Sequence, residues 1–425
     1  MRKISFIFFI CCVGALFFSC SSNTSHQVTI KVVHWGGYME SDWRKLVIEP
    51  FEREHPNIKI DLSIVPYKLY TQRLLAAAVS GAPVGDVLMV DDWFAVELIK
   101  RGFALDLEPL AAKSGLDINS FYPDLIKEWR GFGDGKLYGL PFSAGATVLF
   151  YNKKLFDDAH LQYPDSTWTY DMVVRAAKQL THSNSDGTPD VWGLLIDDGG
   201  FTGFDTYVKA NGGQVMKDGG IQAGLDDPTT VHAVEQWVNI VRNDHVAPQP
   251  ASVSDQFNQM FSNNKVAMMM EGDHFAKRFV GENIQWDYAL PPTGSAGRYS
   301  ERFNDGFIIP KNCEHPEEAW EFLKWVETFP PQTDVAKIME KSVPAYKPLA
   351  TSPAWYASIG EHHGKLLNEI MDKYSFSYIS PGWYEWRDNI LIPEMDQAFL
   401  GTKTVAEALG DAEGKVNEVL ARSAK

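Results

Sequence analysis

The stretch VLMVDDWF, residues 87–94, decides the fold of this chain of 425 residues. Its four consecutive apolar residues, 87–90, are typical of a strand buried on both faces, as in a parallel sheet covered by helices on either side. The apolar pattern over 71–79 predicts a helix just before it, which ends near Gly81 because glycine readily adopts the left-handed conformation of a helix C-cap. A helix that leads into such a strand indicates an α/β protein.

Outward from this strand, helical and strand patterns alternate along the chain. Residues 28–33 and 58–65 each predict a strand. Between them Trp43, Leu46 and Val47 recur at the spacing of an amphipathic helix. Strands that alternate with helices predict an α/β architecture with largely parallel sheets. A hydrophobic content of 45%, without a low-complexity tract, indicates a compact folded protein.

The beginning of the chain predicts a signal peptide over residues 1–19. Arg2 and Lys3 precede an apolar segment, 4–18, of the length expected for the hydrophobic part of such a peptide. A transmembrane helix needs roughly twenty apolar residues, so an uncleaved membrane anchor is the weaker alternative.

The residues that follow predict a lipid anchor. Ser19, Cys20 and the polar tract after them resemble a bacterial lipobox, in which the cysteine is lipidated and becomes the first residue of the mature chain. Phe17 departs from that pattern, which usually has an aliphatic residue at this position. We therefore expect Cys20 to carry the lipid and residues 20–27 to form a tether at the membrane surface.

Charge and cysteine content exclude several classes of protein. The formal net charge is −16, and the chain has no basic run, which argues against binding to nucleic acid or to anionic membrane surfaces. After removal of the signal peptide only Cys20 and Cys313 remain. A single internal cysteine excludes an intrachain disulfide framework.

Eight segments, in this order, resemble the substrate-binding lipoproteins of ABC importers, in the maltose-binding-protein-like branch that takes up sugars and oligosaccharides. The resemblance covers nearly the whole mature chain. The segments are PFEREHPNIKI (50–60), LAAAVSGAP with GDVLMVD (within 75–91), GKLYGLPF (135–142), LFYNKKLFDDAHL (149–161), KANGGQV (209–215), KVAMMMEGDHF (265–275), GFIIPKN (306–312) and PEEAWEFLKWV (316–326).

The resemblance implies a two-lobe α/β fold, the periplasmic-binding-protein type II fold, with a ligand cleft between the lobes. Lobe one would comprise 28–142 plus 291–330, and lobe two 143–290 plus 331–425. It also implies a monomer without cofactor, metal or catalytic residue, which works outside the cytoplasm. Such a protein captures a carbohydrate by hinge closure and delivers it to the transmembrane subunits of an ABC permease.

Aromatic and acidic residues follow the predicted strands, where open α/β sheets bind their ligands. Indole and phenol rings stack on the apolar C–H faces of a pyranose. Carboxylates and amides pair with its hydroxyls, because a buried hydroxyl without a partner is costly. The predicted ligand-binding residues are Trp35, Tyr38, Tyr67, Asp91, Trp93, Phe94, Ser143, Glu271, Asp273, Asn304, Asp305 and Trp383.

A structural role is the alternative for several of these residues. Asp91 could cap the following helix, and backbone donors could satisfy Glu271 and Asp273. Many relatives have a tryptophan after the strand that corresponds to MMM, and His274 would replace it here. Four tryptophans lie within helical patterns and are predicted to belong to the core: Trp43, Trp237, Trp320 and Trp325.

Two other functions remain open at the level of the sequence. The first is a receptor for a different solute, such as a polyol or an iron complex bound by tyrosines of the group Tyr67, Tyr70, Tyr374 and Tyr378. The second is a secreted glycoside hydrolase with two carboxylates. The chain contains no H-E-x-x-H motif and no G-x-S-x-G elbow, since Ser143 lies in PFSAG.

Residues 183–193, SNSDGTPDVWG, resemble part of a calcium loop. Asn184, Asp186 and Asp190 have side-chain oxygens of the kind that calcium binds, but the full EF-hand spacing and its terminal glutamate are absent. We predict an Asx-rich turn here rather than a metal site.

Overall fold

The computed structural model describes most of the chain. The described residues are 27–35, 40–130, 134–185, 187, 189–199, 202–253, 256–329, 338 and 342–423. The predicted signal peptide, Cys20 and Tyr38 lie outside them, as does almost all of the predicted tether.

Three predicted strands are confirmed at the centre of the fold. Val28–Trp35 and Ile58–Val65 run parallel and pair residue for residue along their full length. Val87–Asp91 pairs parallel with the first of them on its other side. The strands of the described residues, in chain order, are β1 Val28–Trp35, β2 Ile58–Val65, β3 Val87–Asp91, β4 Leu140–Asn152, β5 His182–Ser183, β6 Pro189–Val191, β7 Met216–Lys217, β8 Gln222–Ala223, β9 Met268–Gly272, β10 Trp286–Ala289, β11 Ser300–Ile308, β12 Val343–Pro344 and β13 Ser375–Phe376.

The helices lie between and after these strands. The α-helices are Glu40–Asp42, Glu49–Glu54, Tyr67–Ser80, Asp92–Lys100, Glu108–Ser114, Pro123–Glu128, Lys153–Asp158, Tyr170–Leu180, Thr202–Ala210, Pro228–Arg242, Pro250–Val253, Phe257–Ser262, Pro316–Glu327, Lys347–Ala350, Pro353–Ile359, Glu361–Lys373, Trp383–Trp386, Ile392–Leu400 and Val405–Ser423. Short 3₁₀ segments are Ile118–Ser120 and Asp273–Phe279, and π segments are Trp43–Ile48 and Arg387–Leu391.

The strand β4 joins two halves of the sheet. Its first part pairs antiparallel with β11, from Ala146 back to Leu140. Its second part pairs antiparallel with β9 and β10. The prediction of largely parallel sheets is therefore wrong beyond β1–β3, because β11 runs back between β3 and β4 and turns this sheet into a mixed one.

Two hydrophobic cores form on either side of this connection. The four tryptophans predicted to be core residues are buried: Trp43, Trp320 and Trp325 in the core around β1–β3, and Trp237 in the other core. Apolar side chains within 343–371 pack into the first core and those within 383–420 into the second. The first core also contains Phe150, from the second part of β4. Side-chain packing therefore does not assign every segment to one lobe. The lobe boundaries stay a prediction.

Both π segments precede a proline by two residues. Pro50 follows Trp43–Ile48, and Pro393 follows Arg387–Leu391. A proline lacks the N–H of the normal helical hydrogen bond, and its ring clashes with the carbonyl four residues before it. In each case that carbonyl lies within the π segment, where a wider turn accommodates the ring. The second π segment contributes Arg387 and Asp388 to the wall of an internal cavity.

Candidate ligand-binding cleft

The two halves of the molecule enclose a cavity of about 840 Å³. It lies beyond the ends of β1 and β3, which run parallel and therefore finish at the same edge of the sheet. Seven of the predicted ligand-binding residues line it: Trp35, Tyr67, Trp93, Ser143, Glu271, Asp305 and Trp383. The topology thus gathers side chains that are as much as 348 positions apart in the sequence into one place.

Three further predicted residues have structural partners outside the cavity. Asp91 caps the helix Asp92–Lys100, because its Oδ1 accepts the backbone N–H of Phe94 at 2.8 Å. Phe94 itself is buried in the core around β1–β3. Asp273 is 1% exposed, and its Oδ1 accepts the backbone N–H of Ala146 at 3.0 Å.

The strand β11 explains the different positions of Asn304 and Asp305. Both residues lie within this strand, which begins at Ser300. Because side chains alternate along a strand, Asp305 lies on the cavity face with Glu301 and Phe303. Asn304 lies on the opposite face, where it donates to Asp92 and Glu128 and accepts from Trp129.

An aromatic stack spans the cavity. The rings of Trp93 and Trp383 lie face to face, with centroids 4.2 Å apart and an interplanar angle of 7°. Trp93 is in the helix that follows β3, whereas Trp383 begins the helix Trp383–Trp386 and packs in the other core. The stack therefore connects the two sides of the molecule. The indole Nε1 atoms of both rings are buried and have no hydrogen-bond partner among the described residues.

Tyrosines form a second connection across the cavity. The Tyr67 hydroxyl donates to Asp91 Oδ2 at 2.5 Å and also contacts the Tyr384 hydroxyl. Burial, with the adjacent Asp91 charge, raises the pKa of Tyr67 far above its usual value, so the phenol stays protonated. The Trp35 ring packs edge-on against Tyr67, with centroids 5.6 Å apart.

Two histidines of the cavity wall are neutral. Burial lowers the pKa of His34 to about 4 and that of His274 to about 3. His274 packs edge-on against Phe303 with centroids 5.0 Å apart, so these two rings stand in the region where sequence analysis placed a replacement for tryptophan. In both histidines the Nδ1 atom is buried without a partner among the described residues.

The two most buried carboxyl groups of the cavity lining, those of Glu271 and Glu301, have few hydrogen-bond partners. Glu271 and Glu301 are 1% and 2% exposed, and no described residue donates to Glu271 Oε1 or Glu301 Oε2. Burial, together with the charge of Asp197, raises the pKa of Glu271 to about 8. Burial and neighbouring carboxylates also raise the pKa of Glu301 well above its usual value and that of Asp305 to about 7. Glu271 and Glu301 thus favour their protonated forms near neutral pH.

Arg387 is the buried cation of this region. Its guanidinium binds Asp205 Oδ2, with an Nη1–Oδ2 distance of 2.7 Å, and donates to the carbonyl of Gly199 at 2.9 Å. Its central carbon lies 4.7 Å from the ring centroid of Trp383 and 5.0 Å from that of Trp386. The guanidinium that binds Asp205 therefore also packs against the indole rings of Trp383 and Trp386.

Sequence analysis missed several residues that line the cavity. These are His34, Phe142, Glu301, Phe303 and Tyr384, among others. An alternating reading of SERFND, residues 300–305, as a strand would have found Glu301 and Phe303. Tyr384 had no such signal, because its position depends on how the C-terminal helices pack.

No three histidine, cysteine or acidic side chains of the described ranges come together as metal ligands would. In the calcium-like stretch, Asp190 instead pairs with Lys265 at 2.6 Å. Asp186 lies outside the described residues.

The cap formed by Asp91 leads to a first prediction. Asp91→Ala removes an N-cap and the acceptor for the Tyr67 hydroxyl, so we expect the free energy of unfolding to fall by about 1–2 kcal/mol. Urea unfolding followed by circular dichroism measures this change. Asp91→Asn, which keeps an acceptor oxygen, should lose less. Equal stability of Asp91→Ala and the wild type would contradict the structural role of this carboxylate.

Comparison with known proteins identifies the family. The chain belongs to the bacterial extracellular solute-binding proteins, whose family profile matches residues 36–328. As a member of this extracellular family, the protein acts outside the cytoplasm. Among the described helices, none combines the length and the apolar character needed to cross a membrane.

Relatives and solved structures agree with this assignment. The maltodextrin-binding protein MdxE of Bacillus subtilis is 25% identical over 399 residues, 91% of this chain and 85% of that protein. The arabinooligosaccharide-binding protein of the same organism is 23% identical over 319 residues, 72% of this chain and 71% of that protein.

An ABC substrate-binding protein of Listeria monocytogenes, solved in complex with cycloalternan, superimposes with a TM-score of 0.80. It is 21% identical, and the match covers 93% of this chain and 99% of that one. Maltose-bound MalE3 of T. maritima gives a TM-score of 0.75 at 20% identity, over 92% of this chain and 99% of that one. The predicted resemblance and the two-lobe α/β fold are thereby confirmed.

Proposed function

We propose that this protein is the substrate-binding component of an ABC importer and captures a sugar or oligosaccharide in the cavity between its lobes. The observation that carries this proposal is the mixture of groups in one enclosed space. Indole rings offer flat apolar faces, while buried donors such as Trp93 Nε1 and acceptors such as Glu271 Oε1 lack partners among the described residues. A sugar hydroxyl both donates and accepts, so it matches both kinds of group.

The size of the cavity favours more than one sugar ring. Pockets for small ligands are typically about 300–1,000 Å³, and 840 Å³ lies in the upper part of that range. The names of the relatives, a maltodextrin-binding and an arabinooligosaccharide-binding protein, support the same choice. A ferric receptor is less well supported, because Tyr70 donates to the carbonyl of Met89 and Tyr378 to Asp205 rather than facing the cavity.

Delivery to the membrane follows from hinge motion. The protein opens by separating Trp93 from Trp383 and Tyr67 from Tyr384, which are the contacts that span the cavity. A ligand that touches both sides then favours the closed form, which alone makes both sets of contacts. A lipid on Cys20 keeps the protein, a monomer, near the transmembrane subunits of the permease that accepts the closed form.

A thermal-shift screen tests this function. The purified protein is heated with mono-, di- and oligosaccharides, polyols, amino acids and ferric citrate. A ligand at a hundred times its dissociation constant stabilises the folded state by about 2.7 kcal/mol. We expect stabilisation by one glycan series. Stabilisation by ferric citrate or an amino acid alone would instead indicate a receptor for another solute, and cleavage of a chromogenic glycoside above the buffer blank would indicate a hydrolase.

Trp35 offers a direct test of the aromatic platform. Trp35→Ala should weaken binding of the glycan found in the screen by about 1–3 kcal/mol, the range for loss of stacking and buried apolar area. Isothermal titration calorimetry measures the change. Trp286→Ala is the matched control, because Trp286 is also half-buried but packs against Phe150 and Phe279 outside the cavity. An unchanged affinity in Trp35→Ala would remove this ring from the site.

A further inference from the structure

The cavity carries a strong excess of acidic over basic side chains. Six carboxyl groups line it: Asp198, Glu271, Glu301, Asp305, Asp388 and Asp396. Two cations line it as well, Arg278 and Arg387. Arg278 is exposed to solvent, and Arg387 is already paired with Asp205. The lining thus holds three times as many acidic as basic side chains.

Several buried carboxylates outside the cavity are paired with cations. Glu128 binds Arg302 at 2.5 Å, and Asp205 binds Arg387. Glu394, near the C-terminus, binds two lysines at 2.5 and 2.7 Å. Such pairing offsets the loss of hydration that makes a buried ion costly.

Glu271 and Glu301 form no such salt bridge with a described residue. Both are almost fully buried, both line the cavity, and each has a carboxyl oxygen without a hydrogen-bond partner among the described residues. A carboxylate in such a place needs either a proton or a cation to balance it. Both side chains line the cavity, so a cation bound there would lie next to their carboxyl groups.

We propose that the sugar captured by this protein carries an amine, and that Glu271 and Glu301 bind its ammonium group. This inference rests on the proposed function, since it specifies the substrate class of the same cavity. An ammonium group has three donors and no acceptor, which suits oxygens that only accept. Without the ligand, a proton takes the place of this cation on Glu271, whose pKa burial raises to about 8.

The nearby rings contribute to the same selectivity. Trp93 and Trp383 line the cavity together with the two glutamates. The faces of indole rings attract cations, and the two faces that stack on each other here become available to an amino sugar when the protein opens. A uronic acid, in contrast, would place a further negative charge in a cavity lined by six carboxyl groups, and should bind more weakly than the neutral sugar.

Calorimetry on matched sugars tests this proposal. For each of the gluco, galacto and manno skeletons, as monomers and short oligomers, three forms are compared that differ only at C2: hydroxyl, protonated amine and N-acetylated amine. We expect the amine to bind about tenfold to a hundredfold more tightly than the hydroxyl form, the range for hydrogen bonds that involve a charged group. The N-acetyl form keeps the nitrogen but not the charge and should lose this preference.

Variants then assign the preference to the two carboxyl groups. Glu271→Gln and Glu301→Gln should each bring the ratio of amine to hydroxyl affinity close to one. Glu327→Gln is the matched control, because Glu327 is equally buried, also lacks partners among the described residues, and does not line the cavity. Its ratio should equal that of the wild type.

The outcomes separate this proposal from the proposed function. If hydroxyl forms bind as tightly as the amines, the protein is a receptor for neutral sugars and the amine proposal fails alone. If no sugar of any form binds, both fail together. A preference for the amine that survives in both glutamate variants would also overturn the assignment, because the charge would then be recognised elsewhere.

Discussion

Replacing Arg387 with methionine is expected to lower the free energy of unfolding by about 3–5 kcal/mol, the range for breaking a buried ion pair from one side. The side chain is 1% exposed, and its guanidinium binds Asp205, the carbonyl of Gly199 and the Tyr378 hydroxyl. Methionine fills a similar volume but leaves Asp205 as a buried charge without its cation. Glu301 would also lose the positive charge that lowers its pKa.

A double variant separates the ion pair from general packing. Asp205→Leu combined with Arg387→Met removes both charges, and buried pairs can often be replaced by apolar residues of similar volume at little net loss. The double variant should therefore be more stable than Arg387→Met alone in urea unfolding followed by circular dichroism. If both variants lose the same amount, packing and not the uncompensated carboxylate causes the loss.

The ion pair also bears on the ligand site. Arg387 begins the π segment Arg387–Leu391, and its guanidinium lies against the ring of Trp383, which stacks on Trp93. Loss of this support should loosen the aromatic wall on the C-terminal side of the cavity. We therefore expect the position of the Trp93–Trp383 stack to depend on the Arg387–Asp205 salt bridge, whether or not Arg387 contacts the ligand.

Local patterns predicted the first half of the sheet well. The predicted strand over 58–65 has the same limits as β2, and the run over 87–90 lies within β3, because a continuous apolar or alternating pattern is a local property of the sequence. The helix predicted over 71–79 is likewise present, within Tyr67–Ser80, and ends at Gly81 with φ of 72°. The direction in which strands pair could not be predicted in this way. Nothing local in β11 indicates that it runs antiparallel between β3 and β4.

The site was predictable only in part for the same reason. Cavity-lining residues that directly follow a strand, such as Trp93, were predicted because parallel strands end at the same edge of the sheet. Asn304 was predicted for the site and Glu301 was not, but the extent of β11 places Glu301 on the cavity face and Asn304 on the opposite face. Tyr384 joins the site through long-range packing of the C-terminal segment, which leaves no local pattern to read.

A buried tryptophan contributes strongly to stability, and Trp320 is one of those in the core. Trp320→Ala should lower the free energy of unfolding by about 3–5 kcal/mol, the range for truncating a buried tryptophan. Trp320 is 2% exposed in the helix Pro316–Glu327, and its Nε1 has no partner among the described residues, so packing and burial account for the loss. Urea unfolding followed by circular dichroism measures it, and Trp320→Phe, which keeps a ring, should lose less.

The same variant separates stability from binding. Trp320 does not line the cavity, so the folded fraction of Trp320→Ala should bind the glycan with the affinity of the wild type. Trp35→Ala should do the reverse and lose affinity while the core stays intact. If Trp320→Ala weakened binding as much as Trp35→Ala, affinity would depend on the rigidity of the whole lobe rather than on the rings that face the ligand.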